Sequence, residues 1–223
     1  MFRITNSSDK PDIISAQTLR RTIGLLAFLL PAILIIGAAV MQDCQLVQNT
    51  ISGYYHTIMR DFFVAALAAI AITLFAYRGY GKVDNLVGNA AAAATLGVAF
   101  FPTSVYAPFT GCLPVSIDTG IYSTIHYLSA SLLFALLAFF CLCLFTKGAG
   151  QPTPKKIIRN RVYRLCGIVI ILCIVLMAFY QMVFKPRLPG LADLRPVFFL
   201  ETMALIAFSI SWLTKGEAFL ADN

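Results

Sequence analysis

The stretch Ile23–Met41, IGLLAFLLPAILIIGAAVM, carries no charged residue and follows directly on Arg20, Arg21 and Thr22. A bilayer core about 30 Å thick takes roughly 20 residues of helix to cross, and this run supplies them. Five further runs of the same kind follow, at about Asp61–Tyr77, Leu86–Phe101, Ser123–Phe145, Tyr163–Phe184 and Val197–Leu213. Hydrophobic residues make up 59% of the 223 and charged ones 12%, about half the charge of a soluble domain. Strand alternation is absent, so a barrel is not expected, and helices remain as the way to satisfy the backbone in lipid. The expected fold is therefore all-α, a polytopic membrane protein built as one six-transmembrane-helix bundle over residues 1–223. A polar N-terminal segment, residues 1–22, precedes the first span and shows no cleavable signal pattern.

Six spans put both termini on one side, and the basic residues choose which. Thirteen Lys and Arg fall in one set of end segments (Arg3, Lys10, Arg20, Arg21, Arg78, Lys82, Lys147, Lys155, Lys156, Arg159, Arg161, Arg164, Lys215) and four in the other (Arg60, Lys185, Arg187, Arg195). Positive segments stay in the cytoplasm, so both termini are expected there, in a multi-pass protein of the inner (plasma) membrane. The same sorting accounts for the formal charge of +7. No nucleic-acid-binding motif accompanies it, so lipids and not nucleic acid are the expected partners. The basic run from Lys155 to Arg164 is expected near anionic headgroups.

Within the spans, Pro31 is expected to kink the first helix. The small-residue stretch Gly88–Gly97 is expected to place the third span at the centre of the bundle, with Asn89 making an interhelical hydrogen bond. Asp84 and Asn85 are N-cap candidates for that span. Of six cysteines, Cys141, Cys143, Cys166 and Cys173 fall in spans four and five, where thiols act as small apolar groups. Cys44 and Cys112 fall in outer loops, where an oxidising compartment permits a disulfide between them.

Ser52, His56, Arg60, Asp61, His126 and Glu201 all sit near the outer ends of apolar runs. Ionisable groups at such positions are costly to keep dry and mark candidate sites. If the segment before span two is helical, Ser52, His56 and Arg60 repeat every four residues and share a face, while Asp61 lies well around the helix. Arg60 is then placed to pair with Glu201, and His56 to face His126. Ser52, His56, Arg60, His126 and Glu201 form the candidate ligand site. Ser52, His56, Asp61, His126 and Glu201 are the candidate acid–base or nucleophilic groups, and His56, His126 and Glu201 the candidate metal ligands, with zinc the metal such a set suits. An ion-pair network locking helix ends together is the structural alternative.

At these residues the chain resembles a broad class of six-span membrane proteins that takes in bacterial proteins and the eukaryotic damage-regulated autophagy modulators. The features that carry the likeness are Ile51-Ser52 before span two, Arg60 and Phe63 at its start, and His126-x-x-x-Ala130-x-x-x-Phe134 in span four. The resemblance implies six helices and a polar outer pocket. Ser52-x-x-x-His56 also looks like the serine–histidine pair of the alkaline ceramidase and progestin/adipoQ receptor superfamily of seven-span metal hydrolases. The late H-x-x-x-H pair of that superfamily has no counterpart in this chain, so His126 and Glu201 would have to substitute for it.

Other signatures are missing. There is no H-E-x-x-H, no G-x-S-x-G and no phosphate-binding Gly loop. Two histidines at one end do not suit a bis-histidine haem, and the cytoplasmic half reads as apolar, which does not suit a channel. Two functions remain expected. One is a membrane protein binding a lipid or small ligand in an outer polar pocket; the alternative is a metal-dependent or acid–base hydrolase acting on lipid.

Overall fold

The computed structural model describes residues 15–43, 45–104, 120–148 and 153–220. Every long element among them is a helix, and none is a strand. The helices are α1 (Ala16–Val40), α2 (Arg60–Ala76), α3 (Lys82–Phe100), α4 (Gly120–Phe139), α5 (Pro154–Phe179), the single turn α6 (Lys185–Arg187) and α7 (Pro196–Lys215). A π-helical turn at Phe140–Leu144 prolongs α4, and another at Tyr180–Phe184 joins α5 to α6. Two short 3-10 helices, Ile51–His56 and Pro189–Leu194, lie at the end of the bundle where α2 and α7 begin. Cys44 and Cys112, the expected disulfide pair, lie outside the described residues.

Five of these helices are long and apolar enough to cross a membrane; with their continuations they are Ala16–Val40, Lys82–Phe100, Gly120–Leu144, Pro154–Arg187 and Gly190–Lys215. The expected sixth, α2, has 17 residues, about 25 Å at 1.5 Å per residue, a little under the hydrocarbon thickness. Its lipid-type exterior is shared by the others. Ile36, Ile72, Leu86, Leu128 and Leu172, on five different helices, are more than half exposed, an arrangement that water would penalise and lipid does not.

The large helices pack as an antiparallel ring, in the order α1, α2, α3, α4, α5, α7 and back to α1. Where backbones approach closely, a glycine faces the neighbour. Gly24 of α1 lies against Leu213 of α7, Gly97 of α3 against Ser129 of α4, and Gly167 of α5 against Leu142. Ser209 of α7 ties the first of these contacts by donating to Gly24 O at 2.6 Å. Helix starts follow from local chemistry. Ser15 accepts from Thr18 N at 3.0 Å to cap α1, and Thr153 accepts from Lys156 N at 3.1 Å to cap α5, with Pro154 in its first turn. The α1 helix runs unbroken through the buried Pro31.

The α3 helix departs from its sequence reading. It begins at Lys82 after Gly81, so neither Asp84 nor Asn85 is the N-cap. Asp84 instead turns inward, 1% exposed, and pairs with Lys147 Nζ at 2.8 Å. The Gly/Ala stretch does let α3 approach α2 and α4, but as a member of the ring and not as its centre. Asn89 is exposed on the outward face and makes no interhelical bond among the described residues.

At the end of the bundle holding the α7 C-terminus, the ring is filled by aromatic side chains. Trp212, fully buried, meets Tyr77 and Phe145 at centroid distances of 5.1 Å and Phe140 at 5.4 Å. The π-turn makes this possible. Residues five apart in an α-helix diverge by about 140°, but the Phe145 N to Phe140 O bond of 2.9 Å closes a wider turn that aims both rings inward.

This packing yields a test. A Cβ at position 97 would sit 2.8 Å from Ser129 Cβ, a clash that backbones must part to relieve. Gly97→Ala is expected to destabilise the protein by about 1–3 kcal/mol, read as a lower midpoint in denaturant or heat. An unchanged midpoint would mean that α3 and α4 do not touch there.

Candidate functional site

The six expected site residues divide into two groups. Ser52, His126 and Glu201 line one cavity of about 540 Å3 between α4, α5, α7 and the 3-10 helix at Ile51–His56. His56 is buried beside it, and Arg60 and Asp61 are exposed. The reason lies in a break between two helices. The 3-10 helix stops at Thr57, whose φ of −125° and ψ of 176° are extended, and α2 starts afresh at Arg60. Ser52, His56 and Arg60 therefore do not share a continuous helical face. Arg60 lies over the Tyr55 ring, 4.7 Å from its centroid, and donates to the Tyr55 hydroxyl at 3.2 Å. The expected pairing of Arg60 with Glu201 is not made.

Glu201 has another partner. Its Oε2 accepts from Ile51 N at 2.6 Å. Ile51 opens the 3-10 helix, whose first N–H groups have no partner within the helix. Thr50 completes the cap by accepting from Gly53 N at 2.8 Å. A carboxylate from α7 thus fixes a segment 150 residues earlier in the chain, and Glu201 also lines the cavity.

Both histidines serve the C-terminal end of α3. His126 Nδ1 donates to Phe101 O at 2.8 Å, and His56 Nε2 to Thr103 O at 2.8 Å. A carbonyl only accepts, so each of these nitrogens carries its proton. The Tyr55 hydroxyl adds a longer bond of 3.4 Å to Phe100 O. The last carbonyls of a helix lack partners within it, and side-chain donors complement the negative end of its dipole. These bonds fix one nitrogen of each ring and one oxygen of Glu201. Among the described residues no three His, Cys, Asp or Glu side chains are grouped to hold a metal ion. Nor is the Ser52 hydroxyl hydrogen-bonded to either histidine, so the expected serine–histidine pair and the acid–base grouping with Asp61 are not formed.

The cavity walls come from residues that sequence reading did not single out. Ala130 and Phe134 of α4 face Ile174, Met177 and Ala178 of α5, an apolar cleft. Gln181 in the π-turn after α5 and Lys185 at the start of α6 join Ser131 and Tyr127 along its polar part. The Tyr127 hydroxyl donates to Ser104 Oγ at 2.8 Å. The spacing of Gln181 and Lys185 at the end of an apolar run was the available signal. No protein-family model, characterised protein or solved structure matches this chain.

Burial holds the His56 imidazole below its ordinary value of 6.5, reinforced by the nearby Arg60 charge and opposed by the bond to Thr103. The unfolded chain then binds the proton more readily than the folded one. The His56 contribution is full above about 6.5 and is lost as pH falls through the lowered folded value. Thermal stability is expected to drop as pH goes from 7 towards 5, and to drop less steeply in His56→Gln, which keeps a donor for Thr103 O. Equal slopes for the two proteins would exclude His56 as a source of the acid sensitivity.

Proposed function

We propose that this chain is a multi-pass inner-membrane protein that binds an amphiphilic lipid-like ligand in the cavity between α4, α5 and α7. The observation that carries the reading is the composition of the cavity. Apolar walls from α4 and α5 end in a polar patch formed by Glu201, Ser52 and His126. An alkyl chain suits the walls. A headgroup hydroxyl or amine suits the polar end, because a carboxylate is an acceptor. The volume, about 540 Å3, falls in the ordinary range of ligand sites. Among the described residues no three His, Cys, Asp or Glu side chains are grouped and no serine–histidine hydrogen bond is made, so the observations favour the binding reading over the hydrolase one.

In this reading α2 acts as a sixth span, helped by tilt of its neighbours and local bilayer thinning. The thirteen-to-four division of Lys and Arg supports a cavity at the outer face and both termini in the cytoplasm. Asp193 and Lys82, both exposed, lie at opposite ends of the bundle. In a cysteine-free background, an impermeant maleimide applied to intact cells is expected to label Asp193→Cys and to miss Lys82→Cys. The reverse result would invert the topology.

Ligand binding is tested by lipid extraction and native mass spectrometry of the purified full chain. Ala130→Trp fills the cleft and is expected to abolish the bound amphiphile. Glu201→Gln weakens the headgroup bond and is expected to lower retention about tenfold, the scale of a hydrogen bond to a charged group. Undiminished lipid in a folded Ala130→Trp protein would overturn the proposal.

A further inference from the structure

The headgroup that suits the polar end of the cavity follows from the hydrogen-bonding capacity its side chains have left. Glu201 Oε2 accepts from Ile51 N at 2.6 Å, and the second carboxylate oxygen makes no hydrogen bond among the described residues. Glu201 is partly exposed. Lys185 lines the same cavity but makes no ion pair with it. His126 Nδ1 donates to Phe101 O at 2.8 Å. A neutral imidazole carries one N–H, so Nε2 is the acceptor of this ring. Ser52 Oγ, also on the lining, makes no hydrogen bond among the described residues and offers lone pairs. The Tyr127 hydroxyl, by contrast, is spent. It donates to Ser104 Oγ at 2.8 Å and accepts from Thr103 Oγ1 and Ser104 N at 3.3 Å each.

Three acceptors, from α7, α4 and the 3-10 helix at Ile51–His56, thus border one space of about 540 Å3. Headgroups differ in how they meet such a set. A carboxylate brings only acceptors, and its charge repels Glu201. A hydroxyl brings one donor. A primary ammonium brings three N–H groups on one atom, and its charge makes the bond to Glu201 about twice as strong as a neutral one. A quaternary ammonium carries the same charge but no N–H, so charge and donor number can be told apart by experiment.

We propose that the cavity selects an amphiphile bearing a primary ammonium group, which donates to the second Glu201 oxygen, to His126 Nε2 and to Ser52 Oγ. Its alkyl chain lies along Ala130 and Phe134 of α4 and Ile174 and Met177 of α5. The ammonium is carried either by an ethanolamine phospholipid or by a long-chain amine. This assignment rests on the reading of the cavity as a site for an amphiphile and names the headgroup within it.

The test uses the purified full chain in neutral detergent, supplied with single-chain amphiphiles of one chain length: lysophosphatidylethanolamine, lysophosphatidylcholine, monoacylglycerol and the alkylamine. Retention is read by native mass spectrometry and folding by the thermal midpoint. The wild-type protein is expected to retain lysophosphatidylethanolamine over lysophosphatidylcholine about tenfold, the scale of a hydrogen bond to a charged group. Glu201→Gln keeps an acceptor for Ile51 N and is expected to bring that ratio within about threefold. Ser52→Ala and His126→Phe are each expected to lower it about threefold, the scale of a neutral hydrogen bond. Should His126→Phe fail to fold, the other two variants decide. Alkylamine retained as well as lysophosphatidylethanolamine identifies the ammonium alone as the recognised group, and alkylamine lost identifies the ethanolamine phospholipid. Equal retention of the two lysophospholipids, with both lost in folded Ala130→Trp, would overturn the headgroup assignment and leave the cavity reading standing. Retention indifferent to Ala130→Trp would overturn both. Monoacylglycerol retained equally with lysophosphatidylethanolamine, or a full preference in folded Glu201→Gln, would also overturn the assignment.

Discussion

The packing of Trp212 is the constraint on which the rest of the bundle depends. Apolar side chains gain little by leaving lipid for a protein interior, so a membrane bundle needs contacts that lipid tails cannot supply. Trp212 provides them in one place. Its ring meets Tyr77 at the end of α2, Phe140 and Phe145 at the end of α4, and Phe208 on its own helix, all at 5.1–5.6 Å between centroids. Edge-to-face pairs of this kind are each worth about 0.5–1.5 kcal/mol beyond burial. The indole N–H has no hydrogen-bond partner there, a penalty that the surrounding rings have to outweigh. Because these rings occupy the interior at one end of the ring, open volume is left towards the other end, where Ala130 and Ala178 stand in place of bulky side chains.

A second constraint decides what the histidines do. The chain leaves α3 through Phe101–Thr103 in an extended path, and the freed carbonyls need donors. His126, Tyr55 and His56 supply them in turn. Each imidazole thus braces the chain that leaves α3, its proton-bearing nitrogen aimed at backbone. Glu201 does the same for the 3-10 helix at Ile51–His56. A group that both braces the wall and lines the cavity makes ligand binding and local structure interdependent.

The helices were legible from run length, and so was the gathering of Ser52, His126 and Glu201 at one end of the bundle, because polar residues fall at the ends of apolar runs. Ser52, His126 and Glu201 could be placed at one level for that reason. Their partners could not. The face shared by Ser52, His56 and Arg60 assumed one continuous helix, and the extended Thr57 breaks it. The Asp84–Lys147 pair and the buried Lys215 were hidden for a different reason. Basic residues at that end read as positive-inside signals, so Lys147, Lys156 and Lys215 each had a sufficient explanation in the sequence. Asp84 likewise resembled an N-cap. Only the convergence of helix ends shows that Asp84 and Lys215 are turned inward. The π-turn after α4 left no pattern in the sequence, since Phe140 and Phe145 fit an all-apolar span whichever way they face.

The polar cavity and the buried Lys215 lie at opposite ends of the bundle, with an aromatic plug near one of them. Phe140, Phe145 and Trp212 are each fully buried, and Cys141 and Ser211 beside them are joined by a 3.1 Å bond that uses local polarity within the core. A hydrated ion passing from the outer cavity to Lys215 would have to displace these rings, losing several aromatic contacts at once with no polar lining in exchange. The rings therefore close the cavity off from the helix ends around Lys215, and the same aromatic core holds the ends of α2, α4 and α7 together.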